Sequence, residues 1–158
     1  MSVKVYVNCP KWQALAIKLA NACHLALVDR NLSGLIEVQQ QVVELGVLCI
    51  IQYLDVADNQ AFKVFSKVVA TEFLTVDLLF NNAGVSLIDS VENQSLDDFH
   101  WLMNINFGGI VHGTNTFYRS LKNYQQLILL MFQAYLAYYR YPCKVLIPIT
   151  LLDADFNT

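Results

Sequence analysis

The chain has 158 residues, of which 56% are hydrophobic and 15% charged, and it carries a formal net charge of -3. That length suits one domain rather than two ordinary ones, and the apolar share excludes a disordered chain. A weakly acidic balance supplies no basic field to hold nucleic acid or an anionic membrane, so neither is expected as a partner. The richest apolar stretch, residues 127–132, stops at Gln133, short of the roughly 18 residues that a spanning helix needs. Met1-Ser2-Val3-Lys4 does not read as a secretory leader, so a cytoplasmic protein is expected. The four cysteines, at 9, 23, 49 and 143, form no CxxC pair and have no clustered histidine beside them, which fits reduced thiols and no metal site.

The elements alternate in chain order between short β-branched apolar runs and longer segments of helical period, the arrangement of βαβ units around a parallel sheet. Residues 3–7 read as a first strand, and residues 11–22 as a helix with Leu15, Leu19 and Ala22 at helical spacing. A second strand, 25–28, ends at Asp29; Asn31 or Ser33 can cap a helix over 35–45, which Gly46 stops. Strand three, 47–53, runs into Asp55. Asp58 caps a third helix through residue 73, with Phe62, Phe65, Val69 and Phe73 on one face. Strand four, 76–80, leads into Asn81-Asn82-Ala83-Gly84. Ser95, followed by Asp97 and Asp98, starts a long helix to about residue 121. Gly108, Gly109 and Gly113 inside that helix cost about 1 kcal/mol each relative to alanine, so close packing against another backbone is expected there. Trp101, Phe107 and Phe117 read as helix packing, the three histidines as structural or surface groups, and Lys63 and Lys67 as a solvated face.

In a doubly wound sheet, ligands sit beyond the carboxyl ends of the strands, and Asp29, Asp55 and the 81–84 run all fall at such ends. An acid closing the second strand can hydrogen-bond an adenosine ribose and repel a 2′-phosphate; alone, Asp29 reads equally as a solvated strand-end carboxylate or a helix cap. In sequence order, Leu25-Ala26-Leu27-Val28-Asp29-Arg30-Asn31, Leu54-Asp55-Val56, Val76-Asp77-Leu78-Leu79-Phe80-Asn81-Asn82-Ala83-Gly84-Val85 and Asn104-Ile105-Asn106-Phe107-Gly108-Gly109 resemble the short-chain dehydrogenase/reductase family over residues 15–122. The resemblance implies a truncated Rossmann-like α/β fold and an NAD(P)-dependent oxidoreductase acting on a small alcohol or carbonyl substrate. It implies that Asp29 binds the ribose and favours NAD, that Asp55 and Val56 contact adenine, and that Asn82, Ala83 and Gly84 form the turn beside the cofactor. Asn106 resembles the asparagine that holds a proton-relay water, and the helix around Gly108–Gly113 resembles one used in dimer contacts, which leaves the oligomeric state open with a homo-oligomer among the candidates.

The chain departs from that family at both ends. The family opens with Thr-Gly-x-x-x-Gly-x-Gly, whose glycines let amides approach a pyrophosphate; here Val5, Tyr6, Pro10 and Trp12 stand at those positions. Pro10 and Trp12 can instead open the helix and pack its first turn. The family's catalytic serine, tyrosine and lysine have no counterpart at its spacing. Tyr118 and Lys122 form the only Tyr-x-x-x-Lys, on the same helix as Asn106 and too early in the chain, and Tyr139 and Tyr141 stand at the wrong separations from Lys144. Joining the third base of each codon to the first two of the next permits Ala-His-Ile-Val-Asn-Val-Ser-Ser-Leu-Phe-Gly from the Gln126/Leu127 junction and Gln-Ser-Ala-Tyr-Ser from Cys143/Lys144. Both resemble the family's fifth strand and catalytic segment. The expectation is therefore a partial dinucleotide-binding domain over 1–122, keeping four strands, and a non-family tail over 123–158 read out of frame. A Tyr-rich helix followed by a strand over 145–150 is the structural alternative for the tail. Three functions stay open: the oxidoreductase by descent, inactive as this chain; a noncatalytic nucleotide-binding or interaction module; and a decayed gene product.

Overall fold

The computed structural model describes residues 2–7, 12–73, 76–85, 92, 95–121 and 128–131. Its centre is a five-stranded sheet in the order β3-β2-β1-β4-β5, and every pairing is parallel. The strands are β1 (Ser2–Val7), β2 (Cys23–Asp29), β3 (Cys49–Tyr53), β4 (Leu78–Asn81) and β5 (Ile128–Met131). The chain starts in the middle, winds outward through β2 to β3, then crosses back to β4 on the other flank of β1. The order therefore reverses between β1 and β4, which opens a crevice at the carboxyl ends of those two strands.

The expected four strands become five. Ile128 to Met131 pair with Leu78 to Asn81, one to one, as an additional parallel strand. The run Ile-Leu-Leu-Met has the uniformly apolar composition typical of parallel strands, and the edge of β4 is what it pairs with. The expected strand over 145–150 lies outside the described residues.

Helices cover both faces of the sheet. Helices α1 (Trp12–Ala20) and α2 (Leu32–Glu44) pack with β2, β3 and β4 side chains into one core, where Leu25, Leu27, Leu35, Val38, Val42 and Phe80 are buried. Asn31, rather than Ser33, caps α2: its side chain accepts the Gly34 N–H at 3.1 Å. Gly46 ends that helix with φ +78°, a left-handed conformation open to glycine at no steric cost, and its N–H donates to the Val43 carbonyl. The buried face of α1 differs from expectation. Ala16 and Ala20 lie against the sheet, Leu15 and Leu19 flank them half-buried, and Ala22 is exposed beyond the helix end. Two alanines at the closest line of approach let the helix axis sit nearer the strands than leucines would allow.

Helix α3 (Asn59–Glu72) and the long helical stretch from Leu96 to Leu121 share the other core. Asp58 caps α3 by accepting the N–H groups of Gln60 and Ala61, and Phe62, Phe65, Val69 and Phe73 are all buried as their spacing requires. The long helix is not uniform: α4 (Leu96–Met103) starts at a Ser95/Asp98 capping box, loosens into a π-helical segment (Asn104–Gly108), and resumes as α5 (Gly109–Leu121). Of the three aromatic residues expected to pack, only Phe117 does so, edge-on to Phe65 at 6.0 Å. Trp101 and Phe107 are 43% and 50% exposed, because they lie on the side of the helix turned from the sheet. Lys63 and Lys67 are exposed, as a solvated face requires.

Candidate functional site

The parallel ladder brings the residues singled out in the sequence to one edge of the sheet. Asp29 is the last residue of β2 and is only 6% exposed, so it is not the solvated carboxylate that a strand end usually carries. Its Oδ1 accepts the Asn31 N–H at 2.7 Å, and its carbonyl accepts the Leu54 N–H at 3.0 Å, which ties the end of β2 to the segment leaving β3. Two residues along that segment, Asp55 folds a turn on itself: Oδ1 accepts the Ala57 N–H at 3.0 Å and the Asp55 carbonyl accepts the Asp58 N–H at 2.9 Å. Arg30 stands 3.6 Å from Asp55 Oδ2, an exposed pair of small energetic weight that still draws the two strand-end loops together.

Across β1, Asn82, Ala83 and Gly84 follow directly on β4 and are each partly exposed at the crevice. Asn106 fastens the chain just beyond them, accepting the Val85 N–H at 2.7 Å and donating to the Val85 carbonyl at 2.8 Å. Both functions of the side-chain amide are thus used on one backbone unit. The π segment makes this possible: one extra residue in the turn carries the Asn106 side chain toward β4 while Ile105 remains in the core. Asn81, 2% exposed, donates to Thr114 Oγ1 at 3.2 Å, while its own Oδ1 has no hydrogen-bond partner among the described residues.

The glycines of the long helix have three different surroundings. A Cβ on Gly109 would stand 2.9 Å from Val56 Cγ2, and one on Gly113 would collide with Asn81 Oδ1. At Gly108 the nearest atoms, His112 Cε1 and the Met103 carbonyl, are 3.8 Å away. The close packing expected at all three positions therefore holds at two, and the first neighbours are side chains rather than backbone.

His112 was legible only as a structural or surface histidine. Its Nδ1 lies 3.0 Å from the Val56 carbonyl, which can only accept, so the ring carries its proton on Nδ1. His24 has the opposite tautomer: its Nδ1 accepts the Leu48 N–H at 3.2 Å, and its ring stacks on Phe73. The helical spacing of His112 from Asn106 and Gly109 places it on the inner side, but nothing in the sequence joins position 112 to position 56.

At the other rim of the crevice, Val5 and Tyr6 lie inside β1, paired to Ala26 and Leu27 on one side and to Leu79 and Phe80 on the other. The connection that follows, residues 8–11, which includes Pro10, lies outside the described residues. Trp12 is the first residue of α1. Among the described residues no group of histidine, cysteine and carboxylate side chains could hold a metal ion, and no helix is long and apolar enough to cross a membrane.

A sequence profile of the short chain dehydrogenases matches residues 13–128. The chain belongs to the short-chain dehydrogenase family. Among curated relatives, it is 31% identical over 106 residues to SadH of Mycobacterium tuberculosis, named an oxidoreductase, covering 66% of this chain and 38% of SadH. It is 33% identical over 84 residues to a C alpha-dehydrogenase of Sphingobium sp., covering 51% of this chain and 28% of that protein. The short-chain dehydrogenase chain thus spans less than half the length of these relatives. Among solved structures, an alcohol dehydrogenase of the archaeon Thermococcus sibiricus in complex with 5-hydroxy-NADP superimposes with a TM-score of 0.69 at 27% identity, over 78% of this chain and 54% of that one. An NAD+-bound xylitol dehydrogenase does so with a TM-score of 0.70, also at 27% identity, over 77% and 48%.

Proposed function

We propose that this short-chain dehydrogenase descends from an NAD-dependent oxidoreductase of small alcohol or carbonyl substrates, and that the 158-residue polypeptide retains the adenosine half of the cofactor site without the hydride-transfer machinery. The observation that carries the reading is Asp29 at the end of β2: its carboxylate accepts the Asn31 N–H, its main-chain carbonyl ties Leu54 at the start of the segment that leads to Asp55 and Val56, and the Asn82-Ala83-Gly84 turn follows β4 on the other side of β1. A carboxylate there accepts ribose hydroxyls and repels a 2′-phosphate, which favours NAD over NADP. Arg30, the residue that follows, is drawn to Asp55.

The residues present fit adenosine and do not fit the pyrophosphate. The first glycine of the chain is Gly34, far beyond α1, and Val5 and Tyr6 are committed to the strand ladder. The sequence between β1 and α1 thus holds no glycine whose missing side chain would let backbone amides approach a pyrophosphate. Bound nicotinamide would supply hydride transfer in the family; here Asn106 alone remains of the catalytic set, with both functions of its side chain spent on Val85. Tyr118 lies exposed on α5. Loss of a general acid/base alone lowers rates by about 10²–10⁴-fold.

Residues 123–158 account for the missing set if a single-base change near Asn123 moved the gene out of frame. Sequencing the gene decides this: codons that do not encode the serine and tyrosine segments in the neighbouring frame exclude it. The function itself is tested by calorimetry with adenosine, AMP and NAD+. Adenosine is expected to bind with no gain from added phosphates, and Asp29→Ala to weaken it by about tenfold or more, the worth of a hydrogen bond to a charged group. Binding that tightens sharply from adenosine to AMP refutes the missing phosphate site, and silence from all three ligands removes the pocket. Consumption of reduced nicotinamide with a panel of carbonyl substrates would overturn the inactivity.

A further inference from the structure

We infer that His112 is a positioning residue for the adenine pocket: from α5 it holds the Val56 carbonyl, and so sets where the Asp55–Val56 turn presents its edge. The inference rests on the adenosine reading above for its consequence, but not for its geometry. The turn is closed from within by the Asp55 side chain and carbonyl, which receive the N–H groups of Ala57 and Asp58. Those bonds fix the shape of the turn and leave its position relative to the sheet to other contacts.

On the β2 side the Leu54 N–H bond to the Asp29 carbonyl and the exposed Arg30–Asp55 pair supply one; on the helix side Val56 supplies the rest. Its side chain is buried against Gly109, where even a methyl group would stand 2.9 Å from Cγ2, and its carbonyl receives the His112 Nδ1 hydrogen at 3.0 Å. Gly109 and His112 are three positions apart and therefore neighbours on one face of α5, so a single helix grips both the side chain and the carbonyl of Val56. The imidazole is oriented by a tilted contact with Phe62, at 6.3 Å between ring centres, on the helix that Asp58 starts. Because the acceptor is a carbonyl, the bond needs a proton on Nδ1, and both the neutral Nδ1–H tautomer and the imidazolium provide one. The same helical rod carries Asn106, whose amide clasps Val85 beyond the Asn82-Ala83-Gly84 turn. The adenine-side turn on one flank of β1 and the turn after β4 on the other are thus referenced to one continuous helical stretch.

Two variants separate the hydrogen bond from the ring. His112→Phe keeps an aromatic ring against Phe62 and removes the donor; His112→Asn removes the ring and leaves an amide N–H about where Nδ1–H stands. Hydrogen exchange at the backbone of residues 55–58 reads the turn directly, and calorimetry with adenosine reads the pocket. The phenylalanine variant is expected to speed exchange in that segment and weaken adenosine about three- to tenfold, with the asparagine variant close to wild type in both. Wild-type exchange in His112→Phe, or equal damage in the two variants, overturns the assignment to the Nδ1 donor. If wild-type protein ignores adenosine, the pocket reading fails on its own, and the exchange comparison still decides whether His112 holds the turn.

Discussion

Replacing each of three helical glycines by alanine should change stability with opposite signs, and the sign at each position follows from what a new Cβ would meet. Alanine in a helix interior is worth about 1 kcal/mol over glycine, so an unobstructed site gains up to that amount. Gly108→Ala qualifies, since the nearest atoms are 3.8 Å from the added carbon. Gly109→Ala forces the carbon to within 2.9 Å of Val56 Cγ2, an overpacking that costs about 1–3 kcal/mol and cancels or outweighs the gain. Gly113→Ala is the most damaging, because the carbon collides with Asn81 Oδ1 and Asn81 has nowhere to go. It is 2% exposed, belongs to β4, and uses its Nδ2 to reach Thr114 at 3.2 Å. Overpacking plus loss of that bond, at about 1 kcal/mol, less the helical gain, leaves a net loss of about 1–3 kcal/mol. Urea unfolding followed by circular dichroism measures the differences, and for a chain of this size each kcal/mol also moves Tm by about 2–4 °C. Stabilisation of Gly113→Ala equal to that of Gly108→Ala would mean that the helix does not pack against Asn81 as described, and would refute the reasoning.

Asn106→Ala removes both bonds to the Val85 backbone and is expected to cost about 1–3 kcal/mol in urea unfolding, and Asn106→Asp at neutral pH to cost at least as much, because it sets a carboxylate oxygen against the Val85 carbonyl with no hydrogen between them; an aspartate variant as stable as wild type would contradict the two-handed clasp. Burial pushes the Cys49 thiol up to about 12, so it stays protonated in the folded protein at pH 9, where an unfolded cysteine, with its pKa near about 8.5, is largely thiolate. The folded state then binds the extra proton, so this group makes stability fall as pH rises from about 8.5 toward 12. Alkylation with peptide mapping should leave Cys49 unlabelled at pH 9 and label it in urea, and rapid native labelling would show the thiol to be reachable and ionised. Leu96, Phe99, Trp101, Phe107 and Tyr118 are each exposed along the stretch from Leu96 to Leu121, and a homo-oligomer through that stretch is a proposal that sedimentation tests. Sedimentation should then show an oligomer that Trp101→Glu with Phe107→Glu converts to monomer, and a monomeric wild type rejects the reading.

The sequence by itself determined what depends on short-range pattern. Alternating apolar runs and helical periods gave the βαβ order, Asp58 and Ser95 marked helix starts, and the Phe62, Phe65, Val69, Phe73 stripe marked a buried face, because each is encoded within a turn or two of chain. The short motifs at the ends of strands two to four carried the family, since they combine residue type with place along the chain. Tertiary structure decided whatever depends on two distant segments meeting. Leucines at ideal spacing on α1 yielded to smaller Ala16 and Ala20, because the distance of a helix from a sheet is set by the closest contact and not by hydrophobicity. Ile128 to Met131 became a strand because β4 offered an unpaired edge to an apolar run. The π segment, the Asn106 clasp on Val85 and the His112 bond to Val56 likewise arose only when the helical stretch from Leu96 to Leu121 met the segments that follow β3 and β4. Their partners are 21 and 56 residues away in the chain, and no local periodicity encodes a contact at that separation.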